Sequence, residues 1–233
     1  QKTKNTLMLV YNTSYTMRVF THFHEMDLPN GRTVGVRWRT ILQFGDGWDV
    51  IGNVVMKNPG SARVRKGETS SITDIFLTQE LRDFAPEDEN PWYEFQPDAT
   101  MHSIKDLFAL KYGIDPKNLC GIIQIFNLFY IKNPDLNTAM DDDTDARFEI
   151  CTRDLHHLSQ HKDKPTYLGW GDLWSSDRYA EKAKAMFDLV QPYNNYLSPD
   201  IDKNPFIHPL YLMRYGRKLE ACTNVINLFS SKS

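Results

Sequence analysis

Between Asn53 and Arg63 a short apolar run, Val54-Val55-Met56, stops abruptly at Lys57-Asn58-Pro59-Gly60-Ser61. An apolar run without polar alternation fits a strand buried on both faces, as parallel strands covered by helices are. Pro59 fixes its own φ and Gly60 permits positive φ, so the chain is expected to turn there. Open α/β sheets hold their ligands outside the carboxyl ends of such strands. Asn58 offers a donor and an acceptor, and Gly60 lets backbone approach a ligand closely. This loop is therefore the first candidate site.

Gly121-Ile122-Ile123-Gln124-Ile125-Phe126 is a second nearly continuous apolar run, leading into Asn127-Leu128-Phe129. Pro165–Gly169 predicts a third strand ending at Trp170-Gly171-Asp172, and Asn194–Leu197 a fourth. Helical spacing predicts helices over Ile72–Phe84 and from a Ser103/Asp106 capping pair to Gly113. A further helix is expected after Asp141-Asp142-Asp143, whose acids suit a helix N-terminus, with Phe148, Cys151, Leu155 and Leu158 on one face. Tyr179, Ala183, Met186, Phe187 and Val190 form another stripe. The last helix is expected to bury Tyr215, Leu219, Cys222, Ile226 and Phe229. Residues 85–98, with three prolines, several acids and Trp92, Tyr93 and Phe95, read as a surface-packed insertion or a lid.

Upstream, Tyr15–Phe23 and Thr33–Phe44 flank Leu28-Pro29-Asn30-Gly31, and Asn-Gly is a strong hairpin turn signal. Alternating strands and helices place the chain in the α/β class. The expected architecture is a three-layer α/β/α sandwich around a mainly parallel sheet, with an N-terminal β-hairpin at an edge. Residues 1–50 form the β-rich elaboration and residues 51–233 the core domain.

A chain of 233 residues can bury one core without disulfides or metals. A net charge of −3 is not the basic excess of many nucleic-acid binders, although local basic patches remain. Cys120, Cys151 and Cys222 lie far apart within apolar patterns and read as buried, inert thiols of a reducing compartment. No apolar run approaches membrane-spanning length, so a cytoplasmic protein with no membrane partner is expected. His22 and His24 share one strand face and could supply half a metal site, but no third ligand is evident. Neither a metal nor a cofactor is expected.

In a parallel sheet the carboxyl ends of the strands share one side, so Asn58, Asn127, Trp170 and His208 are expected to gather at one rim. Asn58-Pro59-Gly60-Ser61-Ala62, Asn127-Leu128-Phe129, Trp170-Gly171 and His208-Pro209-Leu210-Tyr211-Leu212 follow one another in order. The set resembles an uncharacterised bacterial and phage domain family with the pattern Asn-Pro-Ser-x-Ala, Asn-Leu-Phe, Trp-Gly and His-Pro-Leu-Tyr. Arg37-Trp38-Arg39 and Trp48 resemble that family's lead-in, so the resemblance runs from Arg37 to Leu212.

More remotely, the pattern resembles the uracil-DNA glycosylase superfamily, where several branches carry Gly-x-Asn-Pro-Gly after the first strand and His-Pro-Ser in a late loop. That resemblance implies catalytic roles for Asn58, positioning a hydrolytic water, and for His208, donating to the base carbonyl as charge grows on the leaving base. Asn127 would read the base edge, with Gly60, Ser61, Trp170 and Tyr211 completing the substrate-binding set. Arg63, Arg65 and Lys66 on one side and Arg214, Arg217 and Lys218 on the other bracket this site as phosphate contacts. DNA or a nucleotide is the implied partner.

The chain departs from the glycosylases at Met56, where they carry a glycine, at Lys57, and at Leu210 in place of the serine. The first motif also lacks an acid to activate water. Three readings follow: a glycosylase-like hydrolase of N-glycosidic bonds, a nucleotide or single-strand binding module without chemistry, and a structural or interaction protein. His208, between Ile207 and Pro209, is expected to be held with one ring nitrogen open to the cleft.

Overall fold

The computed structural model describes residues 17–65, 71–84, 90–143 and 150–231, with backbone alone at 150–152. Apolar runs and hairpin signals become one seven-stranded sheet: β1 (Arg18–Asp27), β2 (Thr33–Phe44), β3 (Val50–Met56), β4 (Trp92–Phe95), β5 (Gly121–Asn127), β6 (Ile131–Lys132) and β7 (Thr166–Leu168). The strand order is β4-β1-β2-β5-β3-β7, with β6 paired to β2. The α-helices of the described residues are α1 (Ile75–Phe84), α2 (Ala99–Tyr112), α3 (Leu136–Asp142), α4 (Ile150–Gln160), α5 (Ala180–Val190), α6 (Pro209–Tyr215) and α7 (Glu220–Ser230).

The three apolar runs are β3, β5 and β7, and these strands are mutually parallel. The sheet as a whole is mixed, however, and not mainly parallel. The β1–β2 hairpin turns at Gly31, whose φ of 79° is the left-handed backbone Asn-Gly provides. It brings β2 antiparallel alongside β5, from Thr40 opposite Ile125 to Phe44 opposite Gly121. Trp92–Phe95, expected in an insertion or lid, is instead an edge strand antiparallel to β1. Residues 85–89 of that stretch lie outside the described residues.

β2 changes faces part-way along its length. Phe20 pairs with Ile41 but His22 with Trp38, so Thr21 alone opposes Arg39 and Thr40. Arg39 takes a φ of 49°, and the Thr21 hydroxyl lies 2.9 Å from both the Trp38 carbonyl oxygen and the Thr40 hydroxyl. An extra residue in one strand inverts the inward-facing parity beyond it. Val34, Val36 and Trp38 therefore enter one core, with Val55, Phe126, Leu158, Ala183, Met186 and Phe187, whereas Leu42 and Phe44 enter the other. That second core holds Val54, Met56, Ile123, Ile104, Phe108, Leu212, Cys222 and Phe229. α3, α4 and α5 thus cover one face of the sheet, and α2, α6 and α7 the opposite one.

Segments expected to be regular differ in ways burial explains. α2 begins at Ala99, capped by Asp98 accepting from Met101 N at 3.0 Å, while Ser103 donates to the Ala99 carbonyl inside the helix. Gly113 ends it in the left-handed conformation, as expected. Asp142 and Asp143 stand at the end of α3, and the stretch 144–149 that leads from them to α4 lies outside the described residues. Their buried carboxylates are held by Arg32, and by Arg178 with the Tyr179 hydroxyl. The last helix is broken, leaving Leu219 exposed before α7. Cys120 is exposed and Cys222 buried, while Phe148 and the Cys151 side chain lie outside what is described.

Asn194–Leu197 is not a strand. Its side chains close the outer edge of β7, where alternate backbone N–H groups have no neighbouring strand. Thr166 N donates to Asn194 Oδ1 at 2.8 Å, and Leu168 N to the Tyr196 hydroxyl at 2.9 Å. Tyr196→Phe leaves the Leu168 N–H without its acceptor, and the expected cost is about 1–3 kcal/mol in denaturant unfolding. An unchanged midpoint would show that the phenol does not close this edge.

Candidate functional site

The carboxyl ends of β3 and β5 open on a cleft of about 400 Å³, within the range of small-molecule sites. The loops around it are tied together by backbone. Leu128 N donates to the carbonyls of both Met56 and Lys57 at 3.0 Å, and Phe129 N to Lys57 O at 3.2 Å. Gly169 N donates to Val55 O at 2.8 Å, and Gly171 N, at a φ of 61°, to Phe206 O at 2.7 Å. The Tyr167 hydroxyl holds the Ile207 carbonyl at 2.6 Å, just before His208.

Asn58, Gly60, Ser61, Asn127 and His208 line this one cleft, so the structure brings together five of the sequence-predicted site residues. Met56 lines it too and belongs to the core, together with Ile104 and Ile125, so the floor is apolar. Asn58 ties two loops: its Nδ2 lies 3.0 Å from Asn133 O and 3.3 Å from both Ile131 O and Pro59 O. The amide nitrogen is thus committed to the fold, and Oδ1 is the polar atom left for a ligand. Gly60 does not use a positive φ, so the turn rests on Pro59 and these carbonyl contacts.

His208 caps α6, its Nδ1 accepting from Leu210 N at 3.3 Å. A ring nitrogen that accepts carries no proton, so the neutral ring has its N–H at Nε2. Burial lowers the His208 pKa, the Lys57 ammonium lowers it further, and Asp98 opposes both. Neutral imidazole with an Nε2–H donor is therefore the favoured state. Asn127 is buried, and its carbonyl accepts from Lys182 Nζ at 2.6 Å, which fixes the backbone behind its side chain.

Other predicted residues lie elsewhere. Trp170 is fully buried in the core under α5, with its ring 5.0 Å from Phe206. Its Nε1 has no acceptor among the described residues. Tyr211 is 48% exposed, its ring 4.6 Å from that of Tyr215 and tilted by 43° to it, outside the cleft lining. Arg65 shares the buried Glu94 carboxylate with Arg18, each at 2.7 Å, so its charge serves the β4 edge. Arg63 and Arg214 are exposed, and Lys66 lies outside the described residues.

Among the lining residues that were not singled out as site residues from sequence are Arg37 and Asp98. Arg37 was noted only as part of a lead-in, and Asp98 closes a proline-rich stretch with no motif. Asp98 Oδ1 caps α2, while Oδ2 lies 3.4 Å from where a Gly60 Cβ would stand. The loop lacking an acid of its own therefore has a carboxylate beside it. Among the described residues no group of three or more His, Cys, Asp or Glu side chains could hold a metal ion, and no helix is long and apolar enough to cross a membrane. No family model, curated protein or solved structure matches the chain.

Proposed function

We propose that the cleft recognises a nucleobase, on a scaffold of the uracil-DNA glycosylase kind, and that its groups suit hydrolysis of an N-glycosidic bond. The observation that carries this reading is the meeting of Asn58, Asn127 and His208, from two loops and the end of β5, over an apolar floor. A flat ring with polar edges is the ligand such a floor and rim accept. His208 Nε2–H is a fixed donor suited to a base carbonyl that gains charge as the base leaves. Asn58 Oδ1 is suited to orienting a water, and Asp98 supplies the carboxylate that general-base activation of that water requires.

A second reading, binding without chemistry, is favoured by Met56 on the cleft floor and by the commitment of Asn58 Nδ2 to backbone carbonyls. His208→Ser tests both. Serine can cap α6 but has no Nε2–H, so stability is expected to change by about 1 kcal/mol or less. Turnover of a nucleoside or uracil-containing strand should fall about tenfold or more if His208 acts on the leaving base, with affinity less affected. In a binder, affinity falls and no free base appears with either protein. Nucleobases and nucleosides that leave the His208 ring resonances unmoved at millimolar concentration would sink both readings.

The pH dependence has a definite sign. A histidine whose folded pKa is lowered favours folding above its unfolded value of 6.5 and loses that contribution as pH falls through the lowered value. Protonation also removes the Nδ1 acceptor that holds the ring against α6. Ligand affinity is therefore expected to hold steady from pH 8 to 6.5 and to weaken below it. Affinity that rises on acidification would show that the imidazolium is the recognising form.

A further inference from the structure

Arg37 lines the cleft from β2, two residues before the Arg39 bulge and on the face covered by α2. It is 4% exposed, and its Nε and Nη1 are buried with no hydrogen-bond acceptor among the described residues. The guanidinium lies over the Phe95 ring at 5.5 Å and feels the Asp98 charge without pairing to it. Burial lowers its pKa to about 10, so it remains a cation at neutral pH. A buried guanidinium with unused donors is costly unless an anion meets it, which makes it a marker for a ligand.

A second observation concerns its neighbours. The Lys132 ammonium has its pKa lowered first by burial and then by the positive charges of Arg37 and Arg63, with Glu25 opposing. Among the described residues, no salt bridge joins Arg37, Arg63 or Lys132 to a carboxylate. By contrast, Arg18 and Arg65 are held by Glu94, and Lys57 by Asp172 at 3.4 Å. Lys132 directly precedes Asn133, and Arg63 follows Ser61 by two residues; both Asn133 and Ser61 line the cleft. Lys132 therefore stands close enough to Arg37 and Arg63 to be repelled by both, beside a cleft that Arg37 alone of the three lines, and the field there is only partly offset by Asp98 and Glu25.

We propose that the Arg37 end of the cleft, with Arg63 and Lys132 beside it, is a phosphate site, which takes the phosphate of a free mononucleotide whose base occupies the Asn127 and His208 end. The base half of this statement rests on the reading given under Proposed function, and the phosphate half does not. A guanidinium offers two parallel donors that match phosphate oxygens. Arg37 is reached only by a group that enters the concavity, whereas a polynucleotide needs an open cationic track. Along the outer surface that track is broken where Glu94 neutralises Arg18 and Arg65.

The test is calorimetric titration of the whole chain and of Arg37→Met at constant ionic strength. The probes are inorganic phosphate, nucleoside 5′-monophosphates, the parent nucleosides and a single-stranded oligonucleotide. In the wild-type protein a monophosphate should bind about tenfold or more tightly than its nucleoside, and Arg37→Met should abolish that difference. Without ligand, Arg37→Met should melt no lower than wild type, because an unpaired buried charge has been removed. Phosphate binding to wild type alone, with nucleosides silent, upholds the phosphate site and removes the base reading. Nucleoside binding with no gain from the phosphate overturns the phosphate site and leaves the base reading standing. An oligonucleotide that outbinds the mononucleotide overturns the choice of a free nucleotide. Should Arg37→Met fail to fold, Lys132→Gln gives the same decision: the monophosphate preference falls severalfold if the site is right and stays unchanged if it is wrong.

Discussion

Lys182→Met is expected to destabilise the protein by about 3–5 kcal/mol, the cost of stranding a buried partner charge. Lys182 lies 11% exposed in α5, with Nζ 2.7 Å from the Tyr130 hydroxyl, 3.5 Å from Asp154 Oδ2 and 2.6 Å from the Asn127 carbonyl. The Tyr130 hydroxyl also donates to Asp154, whose carboxylate is buried. Burial raises the Asp154 pKa, while Lys182, then Tyr130 and Arg39, pull it back. Removing the ammonium leaves the burial effect unopposed by its largest counterweight. An acid whose folded pKa is raised favours folding fully below its unfolded value of 3.8 and loses that contribution as pH rises through the folded value. The deficit of Lys182→Met should therefore be larger at pH 7 than at pH 5 in urea unfolding. Adding Asp154→Asn should recover at least about 1 kcal/mol, because the amide keeps an acceptor for Tyr130 without the charge. A deficit that is equal at both pH values would refute the account. Since Nζ also holds Asn127, the same variant should weaken ligand binding in the cleft.

Gly52→Ala is expected to cost about 3 kcal/mol or more, which for a chain of this length lowers the thermal midpoint by roughly 6–12 °C. A Cβ on Gly52 would stand 2.0 Å from Phe108 Cε1 and 2.8 Å from Cζ. Phe108 cannot retreat easily: it is fully buried and meets the Phe229 ring edge to face at 5.4 Å. α2 must instead lift from β3. Those two elements carry Asp98 and Met101 on one side of the cleft and Met56 to Asn58 on the other, so the lift would also open the site. Phe108→Leu in the Gly52→Ala background should restore part of the stability, although alone it is destabilising, with a coupling of about 1 kcal/mol or more. Independent, additive losses in differential scanning calorimetry would show that the ring and the backbone do not compete for the same space.

Much of the frame was legible because it follows from local spacing. Val54–Met56, Gly121–Phe126 and Thr166–Leu168 lack polar alternation because both their faces are covered, and they are the three parallel strands. Tyr179, Ala183, Met186, Phe187 and Val190 recur at helical intervals because one stripe of α5 is buried. Asn30-Gly31 and Gly113 mark a turn and a helix end because they supply backbone that other residues take up only with strain. The Asn58 and Asn127 positions were visible for the same reason, each standing where an apolar run stops, whereas His208 follows no such run.

What only the tertiary structure decided involves partners far apart in the chain. Whether β2 lies parallel or antiparallel to β5 depends on how a hairpin docks, and nothing within either strand states it. The extra residue at Arg39 moves Leu42 and Phe44 to the opposite core from Trp38, a change of face that appears only when β1 and β2 are set side by side. Asn194 and Tyr196 read as strand residues, yet they act through their side chains on the edge of β7. Trp170 belongs to one of the ordered motifs and was expected at the site, but its large apolar surface is satisfied only in the core. Arg37 and Asp98 reach the cleft from a strand and a helix cap that no sequence spacing links to Asn58. Periodicity records which side of an element is buried; which charged groups face one another across a cleft is fixed by packing, where burial and counter-charge act over distances the local pattern does not contain.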